Sequence, residues 1–114
     1  MSKLCRLLFA LCSVYAVGLT PAKAGFVTGN ELLRKCLDKS TTYKGVCASY
    51  IEGVVDNFNN MLEAAKMPQC IRPTTEAGQI RDATMKYLHN HPSLRDLNAA
   101  LLVVGAMRKE WHCK

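Results

Sequence analysis

Residues 47–70 read CASYIEGVVDNFNNMLEAAKMPQC, from Cys47 to Cys70. Their apolar members, Tyr50/Ile51, Val54/Val55, Phe58, Met61/Leu62 and Ala65, recur at spacings of three and four, the period of an amphipathic helix. A strand would alternate by two. Extended back to Tyr43, the pattern predicts a helix of about 23 residues, a rod roughly 35 Å long. A cysteine lies near each end of this rod, so whatever each thiol bonds to is assigned to one end of the molecule. Gly53 falls inside the helix, where glycine costs up to about 1 kcal/mol against alanine, and the expected compensation is close approach of a second helix. Pro68 stops the helix, because it has no amide to donate and disfavours helical backbone at Met67.

The same period continues on both sides. Upstream, Thr28-Gly29-Asn30-Glu31 has the form of a capping box, with Val27 and Leu32 placed as its hydrophobic staple. Leu32, Leu33, Cys36 and Leu37 then form one apolar face of a short helix from Gly29 to about Asp38. Downstream, the segment PQCIRPTT, residues 68–75, is a loop with two prolines. Thr74 or Thr75 is expected to cap a third helix carrying Ala77, Ile80, Ala83/Thr84 and Tyr87/Leu88, which ends at His89-Asn90-His91-Pro92. A fourth helix is expected from about Ser93, with Leu94, Leu97, Ala100/Leu101, Val104, Met107 and Trp111 on one stripe. Arg108 and Lys109 in its last turn complement the helix dipole. No strand period, repeat or low-complexity tract is visible. The fold class is all-α: a small disulfide-stabilised bundle of about four helices.

The first 24 residues read as a leader to be removed. Lys3 and Arg6 precede an apolar run from Leu7 to Leu19, and Ala22-Lys23-Ala24 supplies the small-x-small pattern of a signal-peptide cleavage site. The run falls short of the roughly 20 apolar residues needed to span a bilayer, so an exported protein with no membrane attachment is expected after cleavage. Residues 25–114 then form a single domain, and Cys5 and Cys12 leave with the leader. So do Lys3, Arg6 and Lys23, three of the 15 basic residues set against 9 acidic ones. What remains is only mildly basic. Without a run of like charges or interleaved aromatics, nucleic acid is not an expected partner.

Four cysteines remain, Cys36, Cys47, Cys70 and Cys113, an even number in an oxidising compartment. Three pairings are open to them, and spacing alone does not choose. Helices running up and down with short connections do. Cys36 ends the first helix where Cys47 begins the second. Cys70 follows the far end of the rod, and the third and fourth helices bring Cys113 back beside it. Either crossed pairing would have to join opposite ends of the rod, whereas a disulfide needs Cα atoms within about 7 Å. The expected bridges are therefore Cys36–Cys47 and Cys70–Cys113. A four-cysteine zinc site is the competing arrangement, but no Cys-x-x-Cys is present.

Little in the sequence points to catalysis. With the thiols paired no free cysteine is left, and neither Gly-x-Ser-x-Gly nor His-Glu-x-x-His occurs. His89 and His91 flank a helix-end turn and lack a third metal ligand; His112 sits between Trp111 and Cys113. The carboxylates Asp38, Glu52, Asp56, Glu63, Glu76, Asp82, Asp96 and Glu110 are spaced as exposed helix faces. Neither a catalytic residue, a metal nor a cofactor is expected. A rigid body that acts by surface contact remains, and two constrained, exposed stretches are candidates: the loop residues Lys66, Met67, Gln69, Ile71, Arg72 and Thr74 beside Cys70, and the turn His89-Asn90-His91. Each is first of all a connection. A rigid loop, however, loses little entropy on docking, which suits an inhibitor that plugs a cleft.

The ordered string Gly29-Asn30-Glu31-Leu32-Leu33-x-x-Cys36, Cys47-x-x-Tyr50-Ile51-x-Gly53-Val54-x-Asp56, Cys70-Ile71, Tyr87-Leu88-x-x-His91-Pro92 and a terminal cysteine resembles the Rap/Tai family, the periplasmic immunity proteins of type VI secretion systems. The resemblance spans the whole chain after the leader. It implies an all-helical disulfide-bonded domain, often a homodimer, that binds a peptidoglycan-cleaving amidase effector and blocks its catalytic cleft. The chain departs from the family pattern in having Arg72 between Ile71 and Pro73, Ser49 before Tyr50, and Trp111-His112 before Cys113. A small periplasmic acid-stress chaperone is the alternative function, and it would loosen at low pH to expose apolar surface.

Overall fold

A computed structural model describes residues 26–113, and the expected signal peptide lies outside the described residues. Four helices make up the bundle: α1 (Gly29–Leu37), α2 (Thr41–Ala64), α3 (Ala77–Asn90) and α4 (Ala99–Trp111), with a 3-10 turn at Pro92–Leu94. The fold is all-α, as the periodicity requires. Helix α2 packs against each of the other three, and α3 lies along α4. The core is formed by Leu32 and Leu33 of α1, Cys47, Ile51 and Val55 of α2, Ile80 and Leu88 of α3, and Leu102, Val103 and Met107 of α4. Each large aliphatic side chain buried there contributes about 1.5–3 kcal/mol.

Local chemistry sets where the helices begin. The Thr28 hydroxyl accepts the Glu31 amide at 3.2 Å, and the Glu31 carboxylate accepts the Thr28 amide at 2.9 Å, completing the capping box. That backbone hydrogen bond to Thr28 is the main reason the Glu31 carboxyl titrates below the usual carboxylate range. Helix α2 starts before Tyr43, at Thr41, because Ser40 caps it by accepting the Tyr43 amide at 3.3 Å. Helix α3 is capped at Glu76 and not at Thr74 or Thr75. Those threonines lie in a turn closed by Thr75 N–H donating to the Arg72 carbonyl at 2.9 Å, with Pro73 at the second position that such turns favour.

The largest departure from expectation is at α4. It begins at Ala99 and not near Ser93, with the Asn98 side chain accepting the Ala100 amide at 2.8 Å. The residues before it lie alongside the chain that enters α1. Gly29 N–H donates to the Leu97 carbonyl at 3.0 Å, Asn30 N–H to the Arg95 carbonyl at 2.9 Å, and Ala99 N–H to the Val27 carbonyl at 2.8 Å. The first amides of two helices, which have no partners within their own helices, are thus satisfied across the pair. Arg95 closes the same end by donating from Nε to the Leu88 carbonyl at 2.7 Å and from Nη2 to the His89 carbonyl at 3.1 Å. With its start displaced, α4 buries Ala99, Leu102, Val103, Ala106 and Met107. Leu97 and Leu101, expected on the buried stripe, are 50% and 66% exposed.

Gly53 does not mark a helix crossing, since nothing lies within 4 Å of where its Cβ would stand. The close approach comes elsewhere. A Cβ on Gly105 would stand 3.0 Å from the Tyr87 hydroxyl, and one on Gly29 would run into Leu102 and lie 3.0 Å from the Arg95 backbone. The two helix glycines should therefore respond oppositely to alanine. In urea titrations Gly53→Ala is expected to raise stability by about 0.5–1 kcal/mol, whereas Gly29→Ala lowers it by about 1–3 kcal/mol through overpacking.

Candidate functional site

The loop from Ala65 to Glu76 is built by its two ends and by its middle. Where α2 stops, Lys66 N–H donates to the Glu63 carbonyl at 2.9 Å and Met67 N–H to the Leu62 carbonyl at 2.8 Å. This is a Schellman closure, whose left-handed position usually holds glycine. Here Lys66 occupies it, with φ 55°, so a cationic side chain stands at a point where the backbone turns sharply away from the helix.

The middle of the loop is sewn to the bundle. Cys70 is joined to Cys113 beyond the end of α4, with Cα atoms 5.3 Å apart, and Cys36 is joined to Cys47 with Cα atoms 5.0 Å apart. These are the partners that the rod geometry selects. By loop-entropy reasoning the two bridges are worth about 3 kcal/mol for the shorter loop and about 4 kcal/mol for the longer. Ile71 is only 1% exposed, so of the six loop candidates it belongs to the core and not to a contact surface. Lys66, Met67, Gln69, Arg72 and Thr74 are exposed around it. They form the outer surface of a loop whose inner side is fixed.

The second candidate, the turn at His89–His91, is not part of the same surface. It closes the far end of α3, a helix of 14 residues and so about 20 Å long. His89 and Asn90 are exposed there, but His91 is half-buried and engaged. Its Nδ1 lies 2.8 Å from the Tyr87 carbonyl, and its ring stacks on Tyr87 with centroids 4.1 Å apart. These contacts explain His91 as the closure of a helix end. Among the described residues no group of three or more His, Cys, Asp or Glu side chains is placed to hold a metal ion.

One surface was absent from the sequence expectations. Between α2 and α4 runs an apolar face lined by Val54, Phe58, Met61, Ala100, Leu101 and Val104. Met61 is 63% exposed, though helical spacing placed it with the core. Arg108 crosses the edge of this face with its guanidinium carbon 5.6 Å from the Phe58 ring centroid, a cation–π distance. The available signal was α4 itself: from Ala99 to Met107 it has no charged or hydrogen-bonding side chain. A helix apolar on every side covers more than the single stripe needed to seal a bundle.

The arrangement is that of a small helical binding domain, with its structured loop on one end and an apolar face along one side. The chain matches the family model of Rap1a immunity proteins over residues 28–113. It belongs to that family, and is an immunity protein directed at a secreted effector protein. No curated protein and no solved structure matches it. Among the described residues no helix is long and apolar enough to cross a membrane.

Lys66 offers a direct test of how the loop is held. Glycine at its left-handed position should stabilise the fold by about 0.5–1 kcal/mol, because the steric cost of the conformation disappears while some unfolded-state entropy is gained. Urea titration of Lys66→Gly against wild type measures the difference, and a loss of stability would show that the lysine side chain itself supports the loop.

Proposed function

We propose that this protein acts in the periplasm, where it binds a peptidoglycan amidase effector of a type VI secretion system and obstructs its catalytic cleft. The observation that carries this reading is the loop from Lys66 to Thr74, which is exposed on one side and pinned at Cys70 and Ile71 on the other. A segment already held in one conformation loses little entropy on entering a cleft. Its exposed side chains include two cations, Lys66 and Arg72, beside the neutral Met67, Gln69 and Thr74. His89, Asn90 and His91 stand at the other end of α3 and are less suited to reach the same cleft. Export follows from the leader at residues 1–24, and the two disulfides accord with an oxidising compartment.

The experiment is rescue from lysis. A type VI amidase encoded next to this chain, exported alone to the periplasm of a bacterial host, should lyse it, and co-export of this protein should restore growth. Arg72→Glu and Lys66→Glu should weaken rescue and raise the dissociation constant at least tenfold, while a charge reversal at Lys44, on α2 near the opposite end, should not. Unchanged lysis in the presence of this protein would reject the amidase reading. Binding of many unrelated unfolded proteins only after acidification would favour the chaperone alternative.

The apolar face between α2 and α4 supports a second element of the proposal, a homodimer that covers Met61 and Leu101 and leaves the loop free. Sedimentation of the exported protein should give a dimer at micromolar concentration. Met61→Glu together with Leu101→Glu should give a folded monomer, because both side chains are already exposed in the single chain. A wild-type protein that sediments as a monomer would remove this element and leave the loop proposal intact.

A further inference from the structure

We propose that Asn59, a residue of α2 outside the loop, is the positioning residue that aims the loop at the effector. This rests on the reading that the loop is what the effector meets. The connection between Ala64 and Ala77 is longer than helix–helix connections in small bundles usually are, roughly 2–8 residues, and carries no regular structure that would direct its exposed side chains. Asn59 supplies that direction. Its Nδ2 donates to the Ile71 carbonyl at 3.0 Å, and its Oδ1 accepts the Ile71 amide at 3.4 Å.

A single side-chain amide therefore holds the peptide groups on both sides of Ile71. Because each peptide group is planar, holding both settles φ and ψ at that residue and hence the direction in which Arg72 leaves the core. Arg72 then opens the turn closed by Thr75 N–H on its carbonyl, so Arg72, Pro73 and Thr74 inherit the orientation. The disulfide has a different part: it sets where Cys70 is but leaves rotation about the following bonds free. Burial of the Ile71 side chain places the residue without selecting the direction of the chain after it. Asn59 is half-buried on the inner side of the loop, so its influence on binding passes through the loop.

The test uses the exported protein, with Asn59→Ala to remove both bonds and Asn59→Asp to keep an acceptor for the Ile71 amide while losing the donor to its carbonyl. The partner is the purified amidase whose lysis wild type prevents, and Arg72→Glu is assayed alongside. Amide exchange at Ile71 should quicken at least tenfold in Asn59→Ala and less in Asn59→Asp, with exchange in the helices unchanged. At a temperature where both variants are fully folded, the dissociation constant should rise tenfold to a hundredfold for Asn59→Ala, with Asn59→Asp between it and wild type. Wild-type exchange at Ile71 in Asn59→Ala, or unchanged affinity when Arg72→Glu weakens binding, would overturn the role of Asn59. If neither Asn59→Ala nor Arg72→Glu changes the affinity of an otherwise normal complex, the loop is not the contact surface, and the reading beneath the inference falls with it.

Discussion

The constraint beneath this fold is that helix ends carry backbone groups with no partners in their own helix, and a bundle this small has little apolar surface with which to offset leaving them dry and unpaired. The two ends of the bundle meet that constraint by different means. At one end the answer is polar: α1 and α4 share their entry strands, the carbonyls of Arg95 and Leu97 take the first amides of α1, and the Arg95 guanidinium takes two carbonyls at the end of α3. At the other end it combines a Schellman turn, the Asn59 amide and the Cys70–Cys113 bridge. Closure by backbone contact requires near approach, which is why Gly29 has no room for a side chain.

The two modes of closure leave different surfaces behind. Where helix ends clasp each other, the connecting residues are spent on structure: His91 stacks on Tyr87, Arg95 bonds carbonyls, and Asn30 donates to Asp96 at 2.9 Å. Little there is free to meet another protein. Where closure comes from an inward-facing isoleucine and a disulfide, the same anchors hold the chain while its outward side chains remain unpaired. That difference, more than the presence of exposed polar residues at both ends, favours Lys66 to Thr74 over His89 to His91 as the contact region.

The number of helices, the long rod and the disulfide partners were legible because each depends on spacing along one chain segment or on rod length alone. Ile51, Val55, Phe58 and Leu62 repeat at three and four, and two cysteines at opposite ends of α2 cannot meet. What could not be read was any feature decided by packing between segments. Gly53 and Gly105 are equivalent as letters inside helical patterns, yet only Gly105 faces another helix, the one bearing Tyr87. Ile71 looked like part of a solvated loop because its neighbours are polar, and only its burial at 1% exposure, a matter of packing between segments, reveals that it turns inward. The start of α4 was misplaced because Ser93 to Asn98 contains acceptable helix-starting residues in two registers, and pairing with Val27–Gly29 chooses the later one.

That displacement also decides which apolar residues a helix apolar all round leaves on its outer side. Had α4 begun near Ser93 with Leu94, Leu97 and Leu101 facing inward, Leu102, Val103 and Ala106 would have been left on its outer side. Starting at Ala99, it buries Leu102, Val103 and Met107 and turns Leu101 outward, beside Met61 of α2. A leucine 66% exposed next to a methionine 63% exposed gives the single chain only a part of its burial free energy, because most of each side chain stays in water. The remainder would be gained only if another surface covered them, as in the proposed homodimer. The proposed homodimer and the proposed obstruction of an effector therefore draw on different parts of the bundle, its side and its end, so that on this reading one can proceed without occupying the residues of the other.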